Sequence, residues 1–144
     1  IADSRANEDQ ARVSPDGRWV AYVTEESGGP QVVVQPLSGP AARVQVSIRG
    51  GNEPVWSRDG RRLFYRTEGT FRVAEVSATP TFHVVSRATF MDDTFLPYPD
   101  PHANYDVAPG GTELLVLKGE PQELLVVHGW EAEVKARLRQ EEKR

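Results

Sequence analysis

One phrase is written three times along this chain: an apolar strand, a tight turn closed by glycine, and a second apolar strand. The copies run from Ala11 to Tyr22, from Pro54 to Tyr65 and from Asn104 to Leu115. Their turns begin at Ser14, Ser57 and Ala108, which lie 43 and 51 residues apart. A repeat of that length holds about four short strands, the size of one propeller blade. The repeat therefore restricts the chain to an all-β array of successive antiparallel sheets, because each unit leaves an apolar face that only its neighbour can cover.

The turns share a local chemistry. In Ser14-Pro15-Asp16-Gly17, proline presets φ at the second position and Asp16 has a side-chain oxygen for nearby N–H groups. Gly17 takes the left-handed conformation of the bulge that follows. Ser57-Arg58-Asp59-Gly60 repeats this turn without proline, and Ala108-Pro109-Gly110-Gly111 keeps proline and glycine but loses the aspartate. The turn roles fall to Asp16, Gly17, Asp59, Gly60 and Gly111.

Between turns, strand patterns fill out the units. Trp19, Ala21 and Val23 alternate with Val20, Tyr22 and Thr24, so this strand is apolar on both faces and should be covered on both. Gln31 to Leu37 reads as a Val-rich strand. Ala42 to Ile48 reads as a half-exposed outer strand with Val44, Val46 and Ile48 on its inner side. The second unit gives strands at Glu53 to Ser57, Arg62 to Thr67, Phe71 to Val76 and Phe82 to Val85, the last extending towards Phe90. The third gives only Tyr105 to Ala108, Glu113 to Lys118 and Gln122 to His128. The period then changes: Trp130, Val134 and Leu138 fall on one helical face, with Glu131/Lys135 and Glu133/Arg137 as i, i+4 pairs. The fold expected is a partial β-propeller of about three four-stranded blades, the last one strand short, with a C-terminal helix. Its divisions are a polar linker or frayed end at 1–10, blades at 11–48, 53–90 and 104–128, and the helix at 129–144.

Composition narrows the partners. A hydrophobic fraction of 38% and a charged fraction of 26% suit a folded globular domain. The net charge of −4 gives no basic face for nucleic acid. Cysteine is absent, which excludes disulfides, thiolate metal sites and a cysteine nucleophile. No apolar run reaches the roughly 18–20 residues of a membrane span. The chain opens on Ile1 rather than methionine, as a processed product or a piece of a longer chain would.

The repeats at Ala11–Tyr22 and Pro54–Tyr65 resemble those of TolB-like (WD40-like) propellers, whose blades carry an apolar-Trp-Ser-Pro-Asp-Gly phrase. More narrowly, four features in order resemble the C-terminal part of bacterial proteins with such a propeller. They are Glu53-Pro54-Val55-Trp56-Ser57, Ala78-Thr79-Pro80-Thr81-Phe82, Asn104-Tyr105-Asp106-Val107-Ala108-Pro109 and Val126-Val127-His128-Gly129-Trp130. Many of those proteins place the propeller outside the cytoplasm, after a serine/threonine kinase domain and a membrane span. The resemblance runs from about Ala11 to Leu138. It implies a periplasmic or extracytoplasmic sensing or binding module, with the remaining blades upstream or supplied by a second copy of the chain.

Candidate sites are few. Asp92, Asp93, Asp100 and His102 are the one concentration of metal-type ligands. They fall in the Pro-rich stretch Met91 to Ala103, which reads as a solvated loop and as the lip of any ligand site. His83 and His128 sit singly in strands. Trp19 and Trp56 read as packing between blades. There is no Gly-x-Ser-x-Gly phrase, phosphate loop or kinase catalytic loop, so neither a catalytic residue nor a cofactor is expected. The leading expectation is a non-catalytic module that binds a protein or a small molecule. The alternatives are a propeller accessory to a serine peptidase of the prolyl oligopeptidase kind, and a scaffold in which two chains close one six-bladed ring.

Overall fold

The computed structural model describes residues 7–39, 42–95, 102–118 and 123–126. Their regular structure is entirely β. The first sheet holds β1 (Glu8–Val13), β2 (Trp19–Thr24), β3 (Gln31–Pro36) and β4 (Val44–Gln45) in that order. The second holds β5 (Asn52–Trp56), β6 (Arg62–Thr67), β7 (Thr70–Ser77) and β8 (His83–Asp92), again in order. In the third, β10 (Leu114–Lys118) lies between β9 (Tyr105–Val107) and β11 (Glu123–Val126). All pairings are antiparallel. The segment expected to form a C-terminal helix lies outside the described residues.

The three Gly-ended turns are the same object. The third-position hydrogen bonds run from Gly17 N to Ser14 O at 2.9 Å, Gly60 N to Ser57 O at 2.9 Å and Gly111 N to Ala108 O at 2.8 Å. All three glycines have φ between +65° and +71°, a region closed to most side chains. Asp16 Oδ1 accepts from Ser14 Oγ at 2.6 Å and from Arg18 N at 3.1 Å. Asp59 Oδ1 accepts from Ser57 Oγ at 2.7 Å and from Arg61 N at 3.1 Å. Hydrogen bonding to the charged form holds both carboxyls low. The Ser14 hydroxyl is the largest influence on Asp16, drawing it down to about 2, and the Ser57 hydroxyl is the largest on Asp59.

The second sheet lies between the other two. On β6, Leu63 and Tyr65 face the first sheet, where they join Ala21, Val23, Val32, Val34 and Val46 in one apolar cluster. Phe64, on the opposite face of the same strand, packs with Tyr105, Leu114 and Val116 of the third sheet. The apolar-on-both-faces pattern of β6 thus has a direct cause: both faces are covered. Trp19 and Trp56 pack on Phe82, with ring centroids 5.0 and 6.3 Å away, and Trp56 Nε1 donates to Arg12 O across the junction. The first strands stand side by side, β1 against β5 and β5 against β9.

Three boundaries differ from the sequence expectation. Strand β1 starts at Glu8, so Glu8, Asp9 and Gln10 belong to the sheet rather than to a linker. The outer strand of the first sheet is only Val44–Gln45, because the N–H groups of both Val46 and Ser47 turn to Val32 O. That bulge shifts the alternation by one residue: Ser47 is buried and Ile48, expected inside, is 66% exposed. Strand β8 runs through Asp92, two residues beyond Phe90, pairing Asp92 with Thr70.

Candidate functional site

Four residues before each turn, in or immediately before the first strand of each sheet, stands a polar residue: Gln10, Glu53 and Asn104. These three are linked across the sheets by one rule. The Glu53 amide donates to Gln10 Oε1, and the Asn104 amide donates to Glu53 Oε2 at 3.3 Å. Gln10 and Glu53 thus each accept the backbone N–H of their counterpart in the next sheet. The register of β1 against β2 slips around Gln10, and that of β5 against β6 slips around Glu53. Gln10 has φ +56° and Glu53 has φ +55°, a left-handed conformation that non-glycine residues adopt only when their surroundings hold them there.

For Glu53 those surroundings are complete. Besides the two ladder bonds, its carbonyl accepts the Tyr105 hydroxyl at 2.6 Å, and Arg66 Nη1 reaches Oε1 at 3.0 Å. Arg66 comes from β6, on the face turned to the third sheet. Its Nη1 also donates to Asn104 Oδ1 at 3.0 Å, and its Nε lies 2.7 Å from Asp93 Oδ2. The Asp93 contact is one of charge, since Nε has no aligned hydrogen bond; Nη2 and Asn104 Nδ2 have none either. The guanidinium stacks 4.6 Å from the Phe71 ring centre. Side-chain exposure is 6% for Arg66, 8% for Glu53 and 5% for Asp93, so this is a buried ionic group. Burial pushes the Tyr105 hydroxyl well above its ordinary value, keeping it a neutral donor.

The acidic stretch picked out from the sequence divides. Asp92 ends β8 and is exposed, and His102 is exposed. Asp100 lies outside the described residues. Asp93 is the correction: instead of a solvated loop carboxylate it is the buried counter-ion of Arg66, and its Oδ1 also accepts Phe95 N at 3.1 Å. Among the described residues no three His, Asp or Glu side chains come together as metal ligands. His83 is exposed in β8, its Nδ1 3.0 Å from Thr81 O, and His128 lies outside the described residues. Arg66 was not singled out from the sequence, and Glu53 and Asn104 entered only within the repeat and resemblance phrases and, for Glu53, as the start of a strand. The signal was a polar residue recurring at a fixed offset from each turn within otherwise apolar strands.

Two clefts open at opposite ends of the junction between the first and second sheets. At the turn end, a cleft of about 470 Å³ is lined by Trp19, Trp56 and Phe82, with Arg18 and Arg61 balanced by Asp16 and Asp59. At the other end, a cleft of about 590 Å³ is lined by Tyr65, Arg49, Arg72, Arg87 and Glu68, among others.

No family model matches the chain, and no curated protein matches it. Among solved structures it is similar to a candidate 6-phosphogluconolactonase from Bacteroides uniformis, with a TM-score of 0.49 and 16% identity. The match covers 88% of this chain and 41% of that one, so the chain spans less than half of its length. At that TM-score the likeness assigns neither a fold family nor an activity.

Proposed function

We propose that the three sheets are blades of a TolB-like propeller, the C-terminal part of a larger bacterial protein, and that they serve as a non-catalytic module for binding a ligand or a protein. The observation that carries this reading is the ladder from Gln10 to Glu53 to Asn104 on adjacent first strands. A bond that passes from one unit to the same position of the next suits an array of like blades, since it can be extended without a change of geometry. The buried ionic side chains, Arg66 with Glu53 and Asp93, are closed off in the junction and neutralise one another's charge there. They hold blades together, and the open clefts are left for recognition.

The expected lip of the binding site is also redrawn. The start of the Met91–Ala103 stretch supplies Asp93 to Arg66, so removing that stretch would strip a buried cation of one of its two carboxylate partners. Recognition is better sought at the two inter-sheet clefts. The test is turnover by the full chain against ester, lactone and peptide substrates. The reading expects no rate above buffer. A rate that stays with the purified protein and falls on substituting one of its described residues would overturn it.

A further inference from the structure

The two clefts between the first and second sheets differ in charge. At the turn end, two arginines face two aspartates, and Arg18 Nε is paired with Asp16 at 2.7 Å. At the opposite end, three arginines share the walls with one carboxylate, Glu68. Among the described residues no ion pair involves Arg49, Arg72 or Arg87. This local excess of positive charge stands in a chain whose net charge is −4.

Two of the three guanidinium groups are held by hydrogen bonds, and the third rises from a tight corner of the backbone. Arg87 donates from Nε to Val46 O at 2.7 Å and from Nη2 to Gln45 O at 3.3 Å, which bridges it from β8 to the first sheet. Arg72 donates to Thr89 Oγ1 at 3.2 Å. Arg49 sits on the connection from β4 to β5, and the corner behind it is tight. Gly50 has φ +82°, Gly51 N donates to Pro30 O at 3.0 Å, and a Cβ on Gly51 would meet Ser47 Cβ at 2.8 Å. Tyr65 forms part of the floor and is 2% exposed. Like charges gathered without counter-ions repel one another, and an anion bound among them removes that cost. Arg72 and Arg87, already held, lose less entropy on binding, and the planar guanidinium suits carboxylate and phosphate oxygens.

We propose that this cleft binds the carboxylate or phosphate group of a small anionic ligand, with Arg49, Arg72 and Arg87 as its contacts. The cleft has the size of a small-molecule site, roughly 300–1,000 Å³. The proposal rests on the binding-module reading and gives it a ligand class.

The experiment is calorimetric titration of the full chain at low salt with inorganic phosphate and, separately, with succinate. Saturable binding of at least one is expected, weakened about tenfold or more in the Arg49→Gln/Arg72→Gln double variant. The Arg18→Gln/Arg61→Gln variant, at the other end of the junction, is expected to bind as the parent does. Preference for phosphate or for succinate distinguishes the two sources of negative charge. Absence of saturable binding for both anions, or equal affinity in the Arg49/Arg72 variant, overturns the proposal. Should the double variant fail to match the parent's circular dichroism and melting, Arg49→Gln alone decides, because that side chain is exposed and has no described partner. Loss of the anion site would leave the non-catalytic reading standing, whereas substrate turnover would overturn that reading without touching this affinity.

Discussion

The two faces of the second sheet are joined to their neighbours by opposite means. Towards the first sheet the junction is a continuous apolar layer, in which Leu63, Tyr65, Ala74, Val76 and Phe82 meet Ala21, Val23, Val32, Val34 and Val46. Towards the third sheet a smaller apolar cluster surrounds the buried group of Arg66, Glu53, Asp93 and Asn104. Apolar burial is strong and non-directional, and it tolerates small shifts in packing. A buried ionic group adds little net stability, but it accepts few geometries and punishes every loss. The contrast assigns stability mainly to the first junction and register mainly to the second. Glu53 belongs to both, through its amide on one side and its carboxylate on the other.

The largest expected effect comes from breaking the ionic junction one-sidedly. Arg66→Ala leaves two carboxylates buried without a cation and should cost about 3–5 kcal/mol in urea unfolding. Replacing the whole group, with Arg66→Met, Glu53→Gln and Asp93→Asn together, should recover most of that loss. A triple variant as unstable as Arg66→Ala would refute the distinction between the junctions. On the apolar side, Leu63→Ala should cost about 2–5 kcal/mol, the spread reflecting how far the layer can collapse around the cavity. No companion substitution among charged residues should rescue it.

Smaller effects compare the turns. Gly17→Ala and Gly111→Ala both force a side chain into the left-handed region, at roughly 1–2 kcal/mol. Around Gly17 a Cβ meets nothing within 4 Å, whereas at Gly111 it would fall 2.7 Å from Arg62 Cζ. That guanidinium donates to Gly111 O at 2.7 Å and to Gly110 O at 3.1 Å, tying the second sheet to the third turn. Gly111→Ala should therefore lower the melting temperature more than Gly17→Ala, and equal shifts would mean that the Arg62 tie contributes nothing.

The smallest effect is a pH dependence. The Asp16 carboxyl lies at about 2 in the folded chain against an ordinary 3.8. A folded-state value below the unfolded one gives stability that is present above about pH 4 and disappears as pH falls through 2. The advantage of the parent over Asp16→Asn should shrink across that window, and an advantage that grows on acidification would contradict the turn chemistry.

How much was legible follows from the range of each interaction. The turns were readable because Ser14, Asp16 and Gly17 satisfy one another within four positions, and the alternation of β2 announced a strand covered on both faces. The ionic junction was hidden because Arg66 finds Glu53 and Asn104 at separations of 13 and 38 residues, which no local pattern encodes. Gln10 was grouped with a polar end for the same reason: its partner is the Glu53 amide, 43 positions away. Asp93 carried the composition of a solvated loop, and only tertiary placement made it a buried counter-ion. Ile48 failed differently, since a single bulge at Val46 and Ser47 reversed the faces of an otherwise sound alternation.

Native-state hydrogen exchange read at single amides tests the coupling of the sheets most directly. If the ladder joins them into one unit, the amides of Glu53 and Asn104 exchange at the same opening free energy as core amides such as Phe64, and Glu53→Ala lowers all of them together. Exchange of the Asn104 amide at a much lower free energy than that of Glu53, with the first two sheets still closed, would contradict it.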